Sequence, residues 1–302
     1  MSVHTIGLSL DDALSLYQEQ FLVARNLAPR TRVEYTNDLC FLFTFLRDKA
    51  LLGRPDQVER KHLEGYLAVL DGQGLKGSSR RRKVASIRSF FAFLEEQGLI
   101  PKSPAQKLIP PRREEGQPRV LSEAEYKRLL EVVRYEARDA AIIELLLQTG
   151  IRLSECAGLA LADIALPAKI SRDQGNVGAV TVRGKGRKVR TITLNWKACK
   201  AIKAYLTVRP AADDSRLFIT KFREGIGPRS IENVVAKHLR EARIYGASVH
   251  TLRHTFATHQ AKRGTKLDNI RKALGHSNLK TTSIYVDLAR EEMDRELQEH
   301  AL

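Results

Sequence analysis

His250-Thr251-Leu252-Arg253-His254, then Leu274-Gly275-His276, then Thr281-Thr282-Ser283-Ile284-Tyr285, is the stretch whose reading decides the rest of this chain. His250 and Arg253 lie three residues apart, which puts them on one face of a helix, while Leu252 and Phe256, four apart, face a core. Ser248 or Thr251 opens that helix and Gly264 closes it. Leu267 to Leu274 reads as a second helix with Gly275-His276 directly behind it, and Ile284-Tyr285-Val286 as a short third one. A guanidinium, imidazoles and a phenol able to attack are the parts of a phosphoryl-transfer site. Each has a plainer reading alone: Tyr285 as a core aromatic, His276 as a turn residue. His250 and His254 do not read as a metal pair, because no glutamate follows His250 as in His-Glu-x-x-His and Arg253 repels a cation. No metal and no cofactor are expected.

Upstream, Ala137 to Leu147 is a very apolar helix ended by Thr149-Gly150. Arg152 follows on the turn before Ser154, which reads as the cap of a short helix; backbone N–H groups and a guanidinium converge there, a seat for a phosphate. From Ala179 the period changes to two. Val180 and Val182 alternate with polar residues, Gly184-Lys185-Gly186-Arg187 makes a turn, and Ile192 and Leu194 share a face on the return. This hairpin holds five cations between Arg183 and Arg190 and no acid. Arg183, Arg187 and Lys188 become candidate DNA contacts, and a lysine at its tip is either merely solvated or able to reach a phosphodiester.

The whole chain carries a formal net charge of +16 over 302 residues with 43% hydrophobic content. It therefore has apolar residues enough for real cores, and a charge that calls for a polyanion. No apolar run approaches the roughly 20 residues that span a bilayer. Met1 to Ile6 lacks the features of a signal peptide. Cys40, Cys156 and Cys199 are scattered and odd in number, which suits a reducing cytoplasm.

The N-terminal part reads as four helices without a strand. The first holds Leu10 to Phe21 behind Ser9, the second begins near Pro29, the third covers about 60–70, and the fourth opens at Ser78 with Val84, Ile87, Phe90, Phe91 and Leu94 inward. Arg80, Arg81, Arg82 and Lys83 crowd the N-terminus of the fourth, where cations oppose the helix dipole. They are either a solvated helix start or, with Arg88 two turns after Arg81, phosphate contacts. The prolines at 101, 104, 110, 111 and 118 mark a linker. The expected domains are thus a helical DNA-binding domain over 1–100, a linker over 101–119 and an α+β catalytic domain over 120–302, in a mainly α protein with a small β-hairpin.

Taken together, these residues resemble the tyrosine recombinase (phage integrase) family. Thr149-Gly-Ile-Arg152-Leu-Ser-Glu155 looks like its first arginine box, Gly184-Lys185-Gly186 like its hairpin lysine, and His250-Thr-Leu-Arg253-His254, Leu274-Gly275-His276 and Tyr285 like its second box and nucleophile. Thr31-x3-Tyr35 and Ile87-Arg-Ser-Phe-Phe91 are similar to its core-binding domain, and the length is most similar to Xer-type recombinases and compact integrases of mobile elements. One departure is a longer stretch over 164–179, which keeps Lys188 as an alternative to Lys185.

The resemblance implies an enzyme that cleaves and rejoins DNA at specific sites through a 3′-phosphotyrosine. Its catalytic residues would be Arg152, Lys185, His250, Arg253, His276 and Tyr285, supported by Glu155 and His254. It also implies a double-stranded DNA site as substrate, a homotetramer in synapsis with exchange of the C-terminal tail around Met293 and Leu297, a nucleoid location, and room for an accessory protein. Type IB topoisomerase-like relaxation and a non-catalytic DNA-binding regulator are the alternatives.

Overall fold

In the computed structural model, residues 7–25, 27–112, 116–172, 177–184, 188–276 and 278–299 are described, the side chains of 280, 292, 295–297 and 299 excepted. The chain divides into two compact units, Met1–Gly116 and Gln117–Leu302.

In the first unit, the Ser9 hydroxyl accepts from the Asp12 amide at 3.1 Å and starts α1, Leu10–Leu16. The expected single helix to Phe21 changes pitch: Tyr17–Leu22 is a π-helical turn, stacking Phe21 on Tyr17 at 5.1 Å between ring centroids. Helices α2 (Pro29–Ala50), α3 (Arg60–Gly72) and α4 (Gly77–Glu96) follow. Pro29 sits in the first turn of α2, where its missing N–H costs nothing. Leu39, Leu42, Phe43, Leu63, Val84, Ile87, Phe90, Phe91 and Leu94 form the core, joined by Ile100, Ala105 and Leu108 from the proline-bearing stretch.

The basic run of α4 is paired within the unit, with Lys83 buried and Arg82 keeping 39% of its side-chain surface. Lys83 is buried, its amine 2.9 Å from a carboxylate oxygen of Asp38, itself only 2% exposed. Arg82 reaches the other Asp38 oxygen at 2.6 Å, Arg80 pairs with Asp71 at 2.7 Å, Arg81 donates to the Pro111 carbonyl at 2.6 Å, and Arg88 donates to the Leu108 carbonyl. Burial makes an acceptor for Lys83 obligatory, so this residue is a structural cation and not a phosphate contact here.

The second unit begins with α5, Glu123–Val133, opened by a capping box: the Glu125 amide donates to the Ser122 hydroxyl at 3.2 Å and the Ser122 amide donates to the Glu125 carboxylate at 3.0 Å. The apolar α6, Ala137–Thr149, stops at Gly150, whose φ of +61° suits glycine. A short α7, Leu153–Ala157, follows with Arg152, not Ser154, at its N-cap. Glu155 makes the difference, because its carboxylate accepts from the Arg152 amide at 2.8 Å and starts the helix two residues earlier.

The hairpin is β2 (Gly178–Arg183) against β3 (Val189–Leu194), antiparallel with Val180 opposite Ile192. A two-residue strand, β1 (Ile164–Ala165), adds to the β2 edge with Ile164 opposite Val180. It was not expected, since two residues carry no period. The long 164–179 stretch therefore holds β1, the first residues of β2 and the 166–177 connection between them, of which 173–176 lie outside the described residues.

Helices α8 (Trp196–Val208), α9 (Pro228–Glu241), α10 (Val249–Lys262), α11 (Leu267–Leu274) and α12 (Lys280–Glu299) complete the unit. Ser248 rather than Thr251 is the N-cap of α10, its amide donating to the Thr251 hydroxyl at 3.0 Å. Tyr285 is not on a short helix: α12 runs unbroken from before it into the tail. Among the described residues no helix is long and apolar enough to cross a membrane.

Replacing Asp38 by Ala leaves the Lys83 amine buried without its anion, which costs about 3–5 kcal/mol for a broken buried pair. Urea unfolding followed through the first unit is expected to show that loss, whereas Asp71→Ala, at an exposed pair, changes it by less than about 1 kcal/mol.

Candidate active site

Three short segments meet in the second unit: the α6–α7 turn, strand β3, and the junction of α11 with Gly275. The last turn of α11 leaves its carbonyls without helical partners. The Ala273 carbonyl accepts from Arg190 Nε at 2.8 Å, the Leu274 carbonyl from Arg253 Nη2 at 2.8 Å, and the Gly275 carbonyl from Arg152 Nη2 at 2.6 Å. Arg253 also donates to the Gly150 carbonyl at 2.5 Å. Gly150 and Gly275 both have positive φ, and the space for a side chain is already taken. A Cβ at Gly150 would lie 2.4 Å from the Phe256 ring, and one at Gly275 2.9 Å from Arg190 Nη1.

Glu155 stands among these cations, 7% exposed. It accepts from Arg152 Nη1 at 3.0 Å and from both terminal nitrogens of Arg190 at 2.8 Å. Burial alone would raise its pKa, but the hydrogen bonds of Arg190 and of the Arg152 amide override this and hold it at about 2. Arg253, also 7% exposed, is pushed down to about 10, by burial first and then by the Arg152 charge; it is still a cation at neutral pH. The Arg152 side chain keeps 40% of its surface, against 16% for Arg190.

Tyr285 is buried with Phe256, Ala257, Ile270 and Leu274. Its hydroxyl lies 2.9 Å from Nδ1 of His254, and burial raises its pKa while Arg253 partly offsets that. The His276 ring stacks on Tyr285 at 6.5 Å between centroids, its Nδ1 3.0 Å from the Thr282 hydroxyl. His254 and His276 both fall to about 4. Burial is the first cause; His250 and Arg253 add to it at His254, and Arg253 and Arg152 at His276. Both rings are therefore neutral at physiological pH.

The structure thus brings Arg152, Glu155, Arg253, His254, His276 and Tyr285 together. His250 is exposed at the start of α10. Lys185 and Arg187 lie outside the described residues. Beside them, the Gly184 amide donates to the Lys188 carbonyl at 2.8 Å, the Lys188 side chain is exposed, and Arg183 pairs with Asp163 at 2.9 Å. Arg190 is the residue that the sequence reading passed over. Its signal was present: it shares the strand face of Ile192 and Leu194, an inward position for a cation. Away from this site, Glu136, Asp139 and His238 offer three metal-type ligands, but Lys237, Arg138 and Glu241 already bond to them.

Residues 119–292 match the phage integrase family, and residues 14–98 match the phage integrase N-terminal SAM-like domain. Tyrosine recombinase XerC of Pelobacter propionicus is 36% identical, covering 88% of this chain and 87% of its own length. Tyrosine recombinase XerD of Rhizobium meliloti is 32% identical, covering 96% of each. Among solved structures, the XerH site-specific recombinase bound to palindromic difH substrate superposes with a TM-score of 0.74 at 21% identity, over 90% of this chain and 80% of that one. A lambda integrase dimer bound to a COC′ core site gives 0.75 at 15% identity, over 95% and 79%. The chain belongs to the phage integrase family of tyrosine recombinases.

Proposed function

We propose that Tyr285 is the nucleophile through which this tyrosine recombinase breaks and rejoins DNA at a specific site. The observation that carries the reading is the placement of the Tyr285 hydroxyl on a neutral imidazole, next to arginines held by main-chain carbonyls. Tyr285 attacks the phosphorus of a DNA phosphodiester, giving a 3′-phosphotyrosine and a free 5′-hydroxyl. Its proton passes to Nδ1 of His254, the ring already at hydrogen-bond distance, while His250 is exposed. Arg152 and Arg253 bind the non-bridging oxygens, where fixed charges need no reorganisation as the phosphorane forms. His276 and His250 add hydrogen bonds to the phosphate, and Lys185 of the hairpin protonates the leaving 5′-oxygen. The phosphotyrosine conserves the bond energy, so the reverse attack reseals the strand.

The substrate is a double-stranded DNA site, consistent with the charge of +16. Arg183, Arg187 and Lys188 of the hairpin supply further phosphate contacts. The first unit acts as the core-binding domain, with Arg82, the exposed partner of the Asp38 pair, on its DNA face. Strand exchange takes a tetramer of this chain, with the α12 tail seated on a neighbouring protomer.

With a nicked duplex carrying the site that the protein selects from a randomised DNA pool, Tyr285→Phe is expected to bind normally and to form no covalent adduct on a denaturing gel. An adduct in that variant would overturn the assignment. Arg152→Lys keeps a charge but not the fork, and slows adduct formation by roughly 10²–10³-fold. Acid acts through the histidines. In the unfolded chain they take up protons near 6.5, but in the folded protein only near 4. Between these values the unfolded state binds more protons, so stability falls as pH is lowered through this window. Melting temperatures of wild type and of a His254→Gln/His276→Gln variant are expected to lie closest at pH 7, and wild type is expected to fall further than the variant toward pH 4, because Gln takes up no proton on unfolding.

A further inference from the structure

Arg190 lies within the site yet has a different relation to it than Arg152 and Arg253. Its side chain is 16% exposed, and three of its N–H groups are already used inside the protein: two on Glu155 and one on the Ala273 carbonyl. Both terminal nitrogens of Arg190 are held by a carboxylate, so its charge is already spent on an anion, whereas those of Arg253 rest on neutral carbonyls. We propose that Arg190 is a positioning residue that occupies Glu155 and thereby leaves Arg152 free to turn its charge toward the scissile phosphate.

Glu155 decides the matter. Its Oε1 accepts from Arg152 Nη1 at 3.0 Å and from Arg190 Nη1 at 2.8 Å; its Oε2 accepts from the Arg152 amide at 2.8 Å and from Arg190 Nη2 at 2.8 Å. Arg190 therefore makes the two-pronged pair, the stronger geometry for guanidinium and carboxylate, while Arg152 touches the acid with one side-chain nitrogen only. Without Arg190, a buried carboxylate would face one guanidinium, and that pair would close into a fork of its own. Arg152 would then be neutralised and turned away from its opening to solvent.

Arg190 also fixes two neighbours of the chemistry. Its Nε bond to Ala273 ties β3 to the last turn of α11, whose next two carbonyls hold Arg253 and Arg152. At the other end, a Cβ on Gly184 would sit 3.6 Å from both Arg190 Nη1 and Glu155 Oε1, so the base of the hairpin rests on this ion pair. One side chain thus relates the hairpin, the first arginine and the second.

The inference rests on reading Arg152 and Arg253 as phosphate ligands, and the test keeps the two claims apart. Adduct formation is timed on the same nicked duplex for wild type, Arg190→Gln, Arg190→Lys, Glu155→Gln and the Arg190→Gln/Glu155→Gln double variant, with DNA affinity measured alongside. Arg190→Gln is expected to slow cleavage by about 10²-fold, the scale of a misplaced reacting group, with DNA affinity within about twofold of wild type. Removing the competing acid restores part of that rate, so the double variant is faster than Arg190→Gln alone while its DNA affinity stays within the same twofold, a rescue confined to the cleavage step that a general loss of the folded site does not give. Arg190→Lys, which keeps charge but not the fork, is also slow, and it carries the test where Arg190→Gln fails to fold. Wild-type cleavage in Arg190→Lys, strictly additive losses, or a loss confined to DNA affinity would overturn the proposal. Absence of an adduct in wild type itself would instead overturn the function.

Discussion

The end of α11 is where the catalytic unit is decided, because three successive carbonyls there face three guanidinium groups. A helix C-terminus carries partial negative charge and unsatisfied acceptors. Ala273, Leu274 and Gly275 offer these to arginines from β3, α10 and the α6–α7 turn. Like charges about 5 Å apart repel by about 3 kcal/mol at an effective dielectric of 20. The cluster therefore persists only because carbonyl dipoles and the buried Glu155 surround it. Gly275 enters through its backbone angle and missing side chain, since the arginine atoms already fill that space.

The helices of both units were legible wherever an apolar period met a cap. Ser9 stands at the helix start that the pattern indicates, and Ser248 is the one of its two candidates that does. Arg152, Arg253, His276 and Tyr285 were legible as a set because each stands beside a turn or on a helix face with a spare polar position. The misses have physical reasons. Arg152 rather than Ser154 takes the cap because the Glu155 carboxylate, three residues on, accepts from the Arg152 amide and starts the helix there. Arg190 was counted as one more hairpin cation, although the alternation with Ile192 and Leu194 already turned it inward. The α4 cations were read along the helix, where they look exposed, but their acceptors come from α2, α3 and the 108–111 stretch.

The imidazole against Tyr285 belongs to His254, not His250. Both lie on α10 one turn apart, so sequence spacing places either beside the phenol; the choice comes from packing against α12. His254 is drawn into the Tyr285 cluster and loses its positive form to burial and to its cationic neighbours, while His250 remains exposed. A neutral ring can accept a proton and a charged one cannot, so the burial and charge that lower the pKa of His254 also leave it able to take one.

Helix α12 has a mechanical consequence. Tyr285 sits near the inner end of a helix that continues to Glu299, an outer arm of about 20 Å at 1.5 Å per residue. A rod of that length converts a tilt of about 5° at the phenol into a swing of about 2 Å at its tip. Read in reverse, a body that seizes the tip has leverage over the tyrosine, and the force needed is smaller the farther out it takes hold.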